Sequence, residues 1–240
     1  MSLSFNKEQA GFESPRKLGA RSFFVDLVLY LSVMFLIREV YFQDLGFMFN
    51  GLFWSFSTLV VASWRMKVRG VTWAELGLCK PPDMKKTLVA TAVILAMAIG
   101  SIILFEILKD QFAWGLSADT SNDSAKSKFG DLENNWILFF SIIPFIWLES
   151  FLEEILDRGF LMNWIERMFS STLMATILAV LLQAIIFGFR HSNDISERSI
   201  TVGLIGLAMG VGYVVFGRNL WPLILAHCVL NTVSMLDRVG

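Results

Sequence analysis

The chain has 240 residues, 55% hydrophobic and 17% charged, with 22 Phe, 8 Trp and a formal net charge of −1. That composition reads as a one-domain, all-α polytopic membrane protein and offers no basic surface of the kind that recruits nucleic acid. Cys79 and Cys228, the only two cysteines, supply neither a disulfide framework nor a C-x-x-C metal spacing.

Residues 1–21 form a polar tail holding Lys7, Arg16, Lys17 and Arg21. The long apolar run that follows has no A-x-A-like cleavage site, so it reads as a retained first span. Apolar windows place spans near 22–42, 45–64, 87–109, 136–155, 172–191, 199–216 and 221–237, about seven helices in a transmembrane bundle. With the N-terminus inside, twelve Lys and Arg fall on the inner side and seven on the outer, Arg158 being set aside as intramembrane. That bias favours a cytoplasmic N-terminus in a cytoplasmic membrane. Membrane lipids are then obligatory partners. The 65–86 connection mixes basic residues with Trp73, Leu76 and Leu78, which suits either a segment in the headgroup region or a plain loop. Residues 117–135 read as a polar outer loop with no catalytic spacing.

The fourth span carries Glu149-Ser-Phe-Leu-Glu153-Glu154-Ile-Leu-Asp157-Arg158, four acids and one arginine in an otherwise apolar helix. Glu149, Glu153 and Asp157 fall on one face at 3.6 residues per turn, and Glu154 pairs with Arg158 on the neighbouring stripe. That leaves Glu153 without a counter-ion. An acid at membrane depth costs about 2.5–3.5 kcal/mol even on the lenient insertion scale, which marks either a functional site or a structural ion-pair cluster. Later helices carry Phe187-Gly-Phe-Arg190-His191, the polar stretch Ser192 to Arg198, and His227-Cys-Val-Leu-Asn231. His191 and His227 are the only histidines. With a turn at Ser170 and Ser171, Glu153 lies 17 residues before it and His191 lies 20 after it. At about 1.5 Å per residue both sit roughly 26–30 Å from the turn, level with each other, provided the fourth helix runs on to about residue 168. The same count leaves His227 only about 9 Å above a turn at Gly217 to Asn219, well short of His191.

Glu153-Glu154-x-x-x-Arg158, Phe187-x-x-x-His191 and His227-x-x-x-Asn231, in that order on successive helices, resemble the CPBP (Abi) family of CAAX-protease-like glutamic intramembrane proteases. Gly159 and the Gly217-Arg-Asn-Leu-Trp-Pro222 run agree as well, and the resemblance covers about 136–235. It implies an active site between the fourth, fifth and last helices. There Glu153 with His191 would activate a water for attack on a peptide bond, and Arg158 would hold Glu154 as part of the scaffold. His227 and Asn231, one turn apart and both able to donate, would stabilise the oxyanion. No serine or cysteine nucleophile and no cofactor or metal is then expected; Cys228, about 100° round the helix from His227, reads as core. The substrate would be a peptide or membrane protein, a prenylated CAAX peptide being one option. Position 157, usually aromatic in the family, is Asp157 here. Two like charges about 6 Å apart at an effective dielectric near 20 repel by about 3 kcal/mol, so Asp157 is expected to modulate Glu153. Three alternatives stand beside this reading: a non-proteolytic immunity or scaffold protein of the same fold, a transporter using the acids as an ion path, and a zinc protease ligated by Glu153, His191 and His227.

Overall fold

A computed structural model of the protein describes residues 19–81, 83–112, 114–116, 128–192 and 194–240. The polar tail, but for residues 19–21, and residues 117–127 of the expected outer loop lie outside the described residues. The chain folds as a polytopic helical bundle with no strand among the described residues. Its helices are α1 (Ala20–Leu36), α2 (Gly46–Arg69), α3 (Met84–Phe112), α4 (Trp136–Met168), α5 (Leu173–Ser192), α6 (Glu197–Val215) and α7 (Trp221–Leu236).

Six of these helices are long and apolar enough to cross a membrane. The expected seventh span, α7, is shorter at 16 residues. It extends about 24 Å against a hydrocarbon core of about 30 Å, so it does not reach across by itself. Local signals set several helix ends. The Asn135 side chain accepts from the backbone N–H of Leu138 at the start of α4, and Ser196 and Ser199 bond reciprocally at the start of α6. Pro222 opens α7, where a missing N–H costs nothing.

α4 is the central column. From Leu152 to Glu166 every residue is buried, enclosed by α1, α2, α5 and α6. As expected, α4 continues past residue 155 to Met168, and the turn falls at Ser170 and Ser171, both with positive φ. Unlike an ordinary helix, it widens to a π-helix over Ile155–Met162. The wider turn weakens the backbone ladder, and Asn163 compensates by donating to the carbonyls of Gly159 (2.7 Å) and Arg158 (3.2 Å). Runs of π-helix are rare and concentrate at functional sites. This one begins directly after Glu153 and Glu154.

The α6–α7 connection is sunk into the bundle. Leu220 is fully buried and its N–H donates to the carbonyl of Gly77, while Tyr213 donates to the carbonyl of Leu76 (2.8 Å). Arg218 grips both oxygens of Glu166 at 2.8 Å each. Residues 71–79 therefore fold back over the turn, burying Leu76, rather than lying free in the headgroups or in water. Gly77 has φ +97°, and a Cβ there would stand 2.0 Å from the Arg218 carbonyl oxygen, so only glycine allows this contact.

Candidate active site

The depth of the α6–α7 turn decides where His227 goes. A Cβ on Gly159 would meet Leu220 at 3.3 Å, so the turn sits level with Gly159. From Gly159 up to Glu153 is six residues, about 9 Å, and from Leu220 up to His227 is seven, about 10 Å. The structure accordingly places His227 Nε2 3.6 Å from Glu153 Oε2. The helix count by itself left His227 well short of His191 and required something further to close the site; the α6–α7 turn is sunk into the bundle, and that supplies the difference.

His191, at the end of α5, reaches the other oxygen, with Nε2 3.6 Å from Glu153 Oε1. Its Nδ1 lies 2.7 Å from the Phe187 carbonyl. A carbonyl only accepts, so Nδ1 carries the hydrogen and neutral His191 turns the lone pair of Nε2 toward the carboxylate. Two acceptors facing each other at this distance repel unless a donor sits between them. The side chain of Glu153 is 11% exposed, of His191 24% and of His227 7%, so the approach to Glu153 lies on the His191 side.

Behind this pair stands a second, dry layer. Glu154 and Arg158 are fully buried, and Glu154 Oε1 accepts from Arg158 (2.9 Å) and from His227 Nδ1 (2.7 Å). An arginine-paired carboxylate can only accept, so His227 donates through Nδ1. Its Nε2 becomes a donor when the ring is an imidazolium, which Glu154 is placed to hold. Arg158 also donates to the Gly206 carbonyl (3.3 Å) and lies over the Phe187 ring at 4.5 Å. Phe187 is the hub of the layer: Arg190 faces its ring at 5.3 Å, and the rings of His191 and His227 have centroids 4.6 and 6.1 Å away.

Asn231 on α7 lies one turn beyond His227 and donates through Nδ2 to Ser150 Oγ at 2.9 Å. Ser150 in turn donates to the Ile146 carbonyl. Nδ2 has a second hydrogen, so this bond orients the amide without exhausting it. Cys228 is half-buried with its sulfur toward the Trp147 carbonyl (3.9 Å).

Two readings of the charged stretch are corrected. Glu153 is not without a counter-ion, since Arg190 Nη2 lies 3.2 Å from its Oε1. Asp157, expected to repel Glu153 with at most partial relief from Arg158, binds the same guanidinium at 2.8 and 3.3 Å. Sequence spacing sees partners on one helix, and Arg190 comes from the neighbouring one. A charge count held the signal: four acids against one arginine at membrane depth require another cation. Glu149 accepts a short hydrogen bond from Ser55 of α2, and its second oxygen is buried without a partner. Among the described residues, no group of three His, Cys, Asp or Glu side chains converges in a way that would hold a metal ion.

A helical membrane bundle with a carboxylate and two imidazoles converging inside it, backed by buried arginines, defines a class of intramembrane site. Residues 134–233 match the family model described as Type II CAAX prenyl endopeptidase Rce1-like, so this stretch is similar to that family, in line with the resemblance carried by the three motifs. At the coarse level that family is usually one of proteases. Comparisons with curated proteins and with solved structures returned no match.

Proposed function

We propose that the protein is a glutamic-type intramembrane endopeptidase in which Glu153 and His191 activate a water. The observation that carries this reading is the convergence of two acceptors, the Glu153 carboxylate and the His191 Nε2 lone pair, 3.6 Å apart. A water about 2.8 Å from each donates one hydrogen to each, which fixes its lone pair for attack on a carbonyl carbon. The attacking oxygen gives up a proton to this pair as the tetrahedral intermediate forms, and the proton returns to the departing amine. His227, held by Glu154, and Asn231, oriented by Ser150, present donors to the developing oxyanion; one such donor is typically worth about 3–4 kcal/mol in a water-poor site. The proposed substrate is a membrane-associated peptide or protein, with a prenylated CAAX peptide as the first choice to test. The Lys and Arg distribution supports a cytoplasmic N-terminus, and a bacterial cytoplasmic membrane is the proposed location.

A structural reading also has an observation in its favour. The buried arginines join helices, Arg158 linking α4 to α6 and Arg190 linking α4 to α5, as a non-proteolytic scaffold protein would need. Purified wild type and Glu153→Gln in lipid vesicles, incubated with farnesylated peptides ending in Cys-aliphatic-aliphatic-X and their unprenylated counterparts, separate the two. Mass spectra should show products from wild type and none from the variant. Equal cleavage by both removes Glu153 from the mechanism, and no cleavage by wild type favours the scaffold. Preference for the farnesylated set assigns the substrate class.

A further inference from the structure

Arg190 has no role in the water activation described above, yet it is the most heavily engaged side chain at the site. Its Nη2 is shared between Asp157 Oδ2 (2.8 Å) and Glu153 Oε1 (3.2 Å), while Nη1 reaches Asp157 Oδ1 (3.3 Å) and the sulfur of Met34 (3.4 Å). Phe187 covers one face of the guanidinium, and Arg38, at the end of α1, donates to the Arg190 carbonyl at 2.7 Å. The group is 4% exposed, so its geometry is set by these contacts rather than by water.

The division of contacts is unequal. Asp157 takes both arms of the fork and supplies the charge that neutralises the guanidinium. Glu153 takes one longer contact to one oxygen. That single contact turns Oε1 toward His191 and leaves Oε2 facing His227. Were Asp157 absent, the fork would be free to close on Glu153 with both arms, the preferred geometry of arginine with a carboxylate. Both Glu153 oxygens would then be drawn to the guanidinium, turning the carboxylate away from His191 and from the water between them. The other charged and titratable groups around Glu153 are Glu149 and Glu154 on its own helix, His191 on α5, His227 on α7 and Arg38 beside α1. None of them stands in this relation to both acids.

We infer that Arg190 is a positioning residue for Glu153 and that Asp157 is its anchor, which keeps the fork from closing on the base; this rests on the glutamic-protease reading above. Arg190 touches no reacting atom in this scheme and acts by orienting one that does. A plain structural ion pair between Asp157 and Arg190 would show the same distances, so the test needs variants that part the two roles.

Arg190→Lys keeps the charge and one bond to Asp157 but has no fork with which to hold Glu153 as well. Its kcat should fall about 10–100-fold, the scale of a misplaced catalytic group, with KM and melting temperature close to wild type. Asp157→Leu combined with Arg190→Met removes both charges in similar volume. It should regain the wild-type melting temperature while kcat stays low, because nothing then orients Glu153. The measurements are steady-state kinetics on the fluorescence-quenched farnesylated and unprenylated peptides, and thermal melting of the same purified samples. Wild-type kcat in Arg190→Lys, or recovery of both kcat and melting temperature in the double variant, makes the pair structural and overturns the inference alone. A wild type that cleaves neither peptide overturns the proteolytic reading itself, and the inference with it.

Discussion

Replacing Glu154 by Gln tests the dry layer behind the carboxylate. Glu154 accepts from Arg158 at 2.9 Å and from His227 at 2.7 Å, and both it and Arg158 are fully buried. The substitution keeps the volume but removes the carboxylate that pairs with Arg158. What remains to the guanidinium is the neutral amide oxygen, the Gly206 carbonyl at 3.3 Å, the face of Phe187 and the more distant charge of Asp157, and its Nε has no partner among the described residues. Breaking a buried ion pair from one side costs about 3–5 kcal/mol; taking the lower end, because the amide oxygen still accepts one bond, a chain of this size loses about 6–12 °C of melting temperature. Activity should fall with it, since His227 loses the carboxylate that accepts from its Nδ1. Glu154→Leu with Arg158→Met distinguishes the two effects. Removing both charges should return most of the stability, as apolar replacement of buried pairs often does, while kcat stays depressed because His227 Nδ1 has lost its acceptor. Melting of the purified variants in detergent beside cleavage kinetics reads both. A Glu154→Gln protein that melts within 1 °C of wild type, by a shift of about zero on this scale, would show that water or another group already carries the Arg158 charge and would refute the reasoning.

Other outcomes follow from single contacts. Asn231→Ala should lower kcat by about 10²–10³ with little change in KM, because its donor serves an oxyanion that the ground state lacks; normal kcat with a raised KM would make Asn231 a substrate contact. His191→Ala should lose activity on a similar scale of about 10²–10⁴, the range of general base catalysis, and a rate near wild type would leave Glu153 as the sole acceptor. Gly77→Ala should cost about 1–3 kcal/mol of stability through its positive φ and the clash with the Arg218 carbonyl, and should lower kcat as the turn beneath His227 shifts; an unchanged melting curve would mean residues 71–79 do not hold that turn. Strong chelators should leave peptide cleavage intact, whereas loss on chelation with recovery on added zinc would return Glu153, His191 and His227 to a metal-binding role.

Much of the bundle was legible because membrane helices are long, regular and apolar. The meeting of Glu153 and His191 came from counting 1.5 Å steps on either side of one turn, and that turn lies at Ser170 and Ser171 with α4 extended to Met168. The depth of His227 was not legible. It depends on Leu76 and Gly77 from a distant connection seating the α6–α7 turn, and on Glu166 gripping Arg218, contacts that no local periodicity encodes. The partner of Glu153 was hidden in the same way, since helical spacing reveals the Glu154–Arg158 pair and says nothing of an arginine on the neighbouring helix. Asp26, in the first half of α1, illustrates the same limit. It is fully buried, bonded to Arg65, Arg69 and Trp164, and ties α1, α2 and α4 together, yet in the sequence it is a lone acid in an apolar span. The π-helix over Ile155–Met162 had no sequence signal beyond Gly159 and Asn163.

The central claim is that a water, activated by Glu153, attacks the peptide carbonyl directly. A single turnover in water enriched in oxygen-18, with enzyme in excess over a farnesylated peptide, tests it at the bond that forms. Direct attack predicts that the new carboxylate of the first-turnover product carries one oxygen-18 and that the tryptic peptide containing Glu153 carries none. Unlabelled first-turnover product together with oxygen-18 in Glu153 would mean that the carboxylate itself attacked and was released by hydrolysis of an acyl intermediate, which contradicts the account.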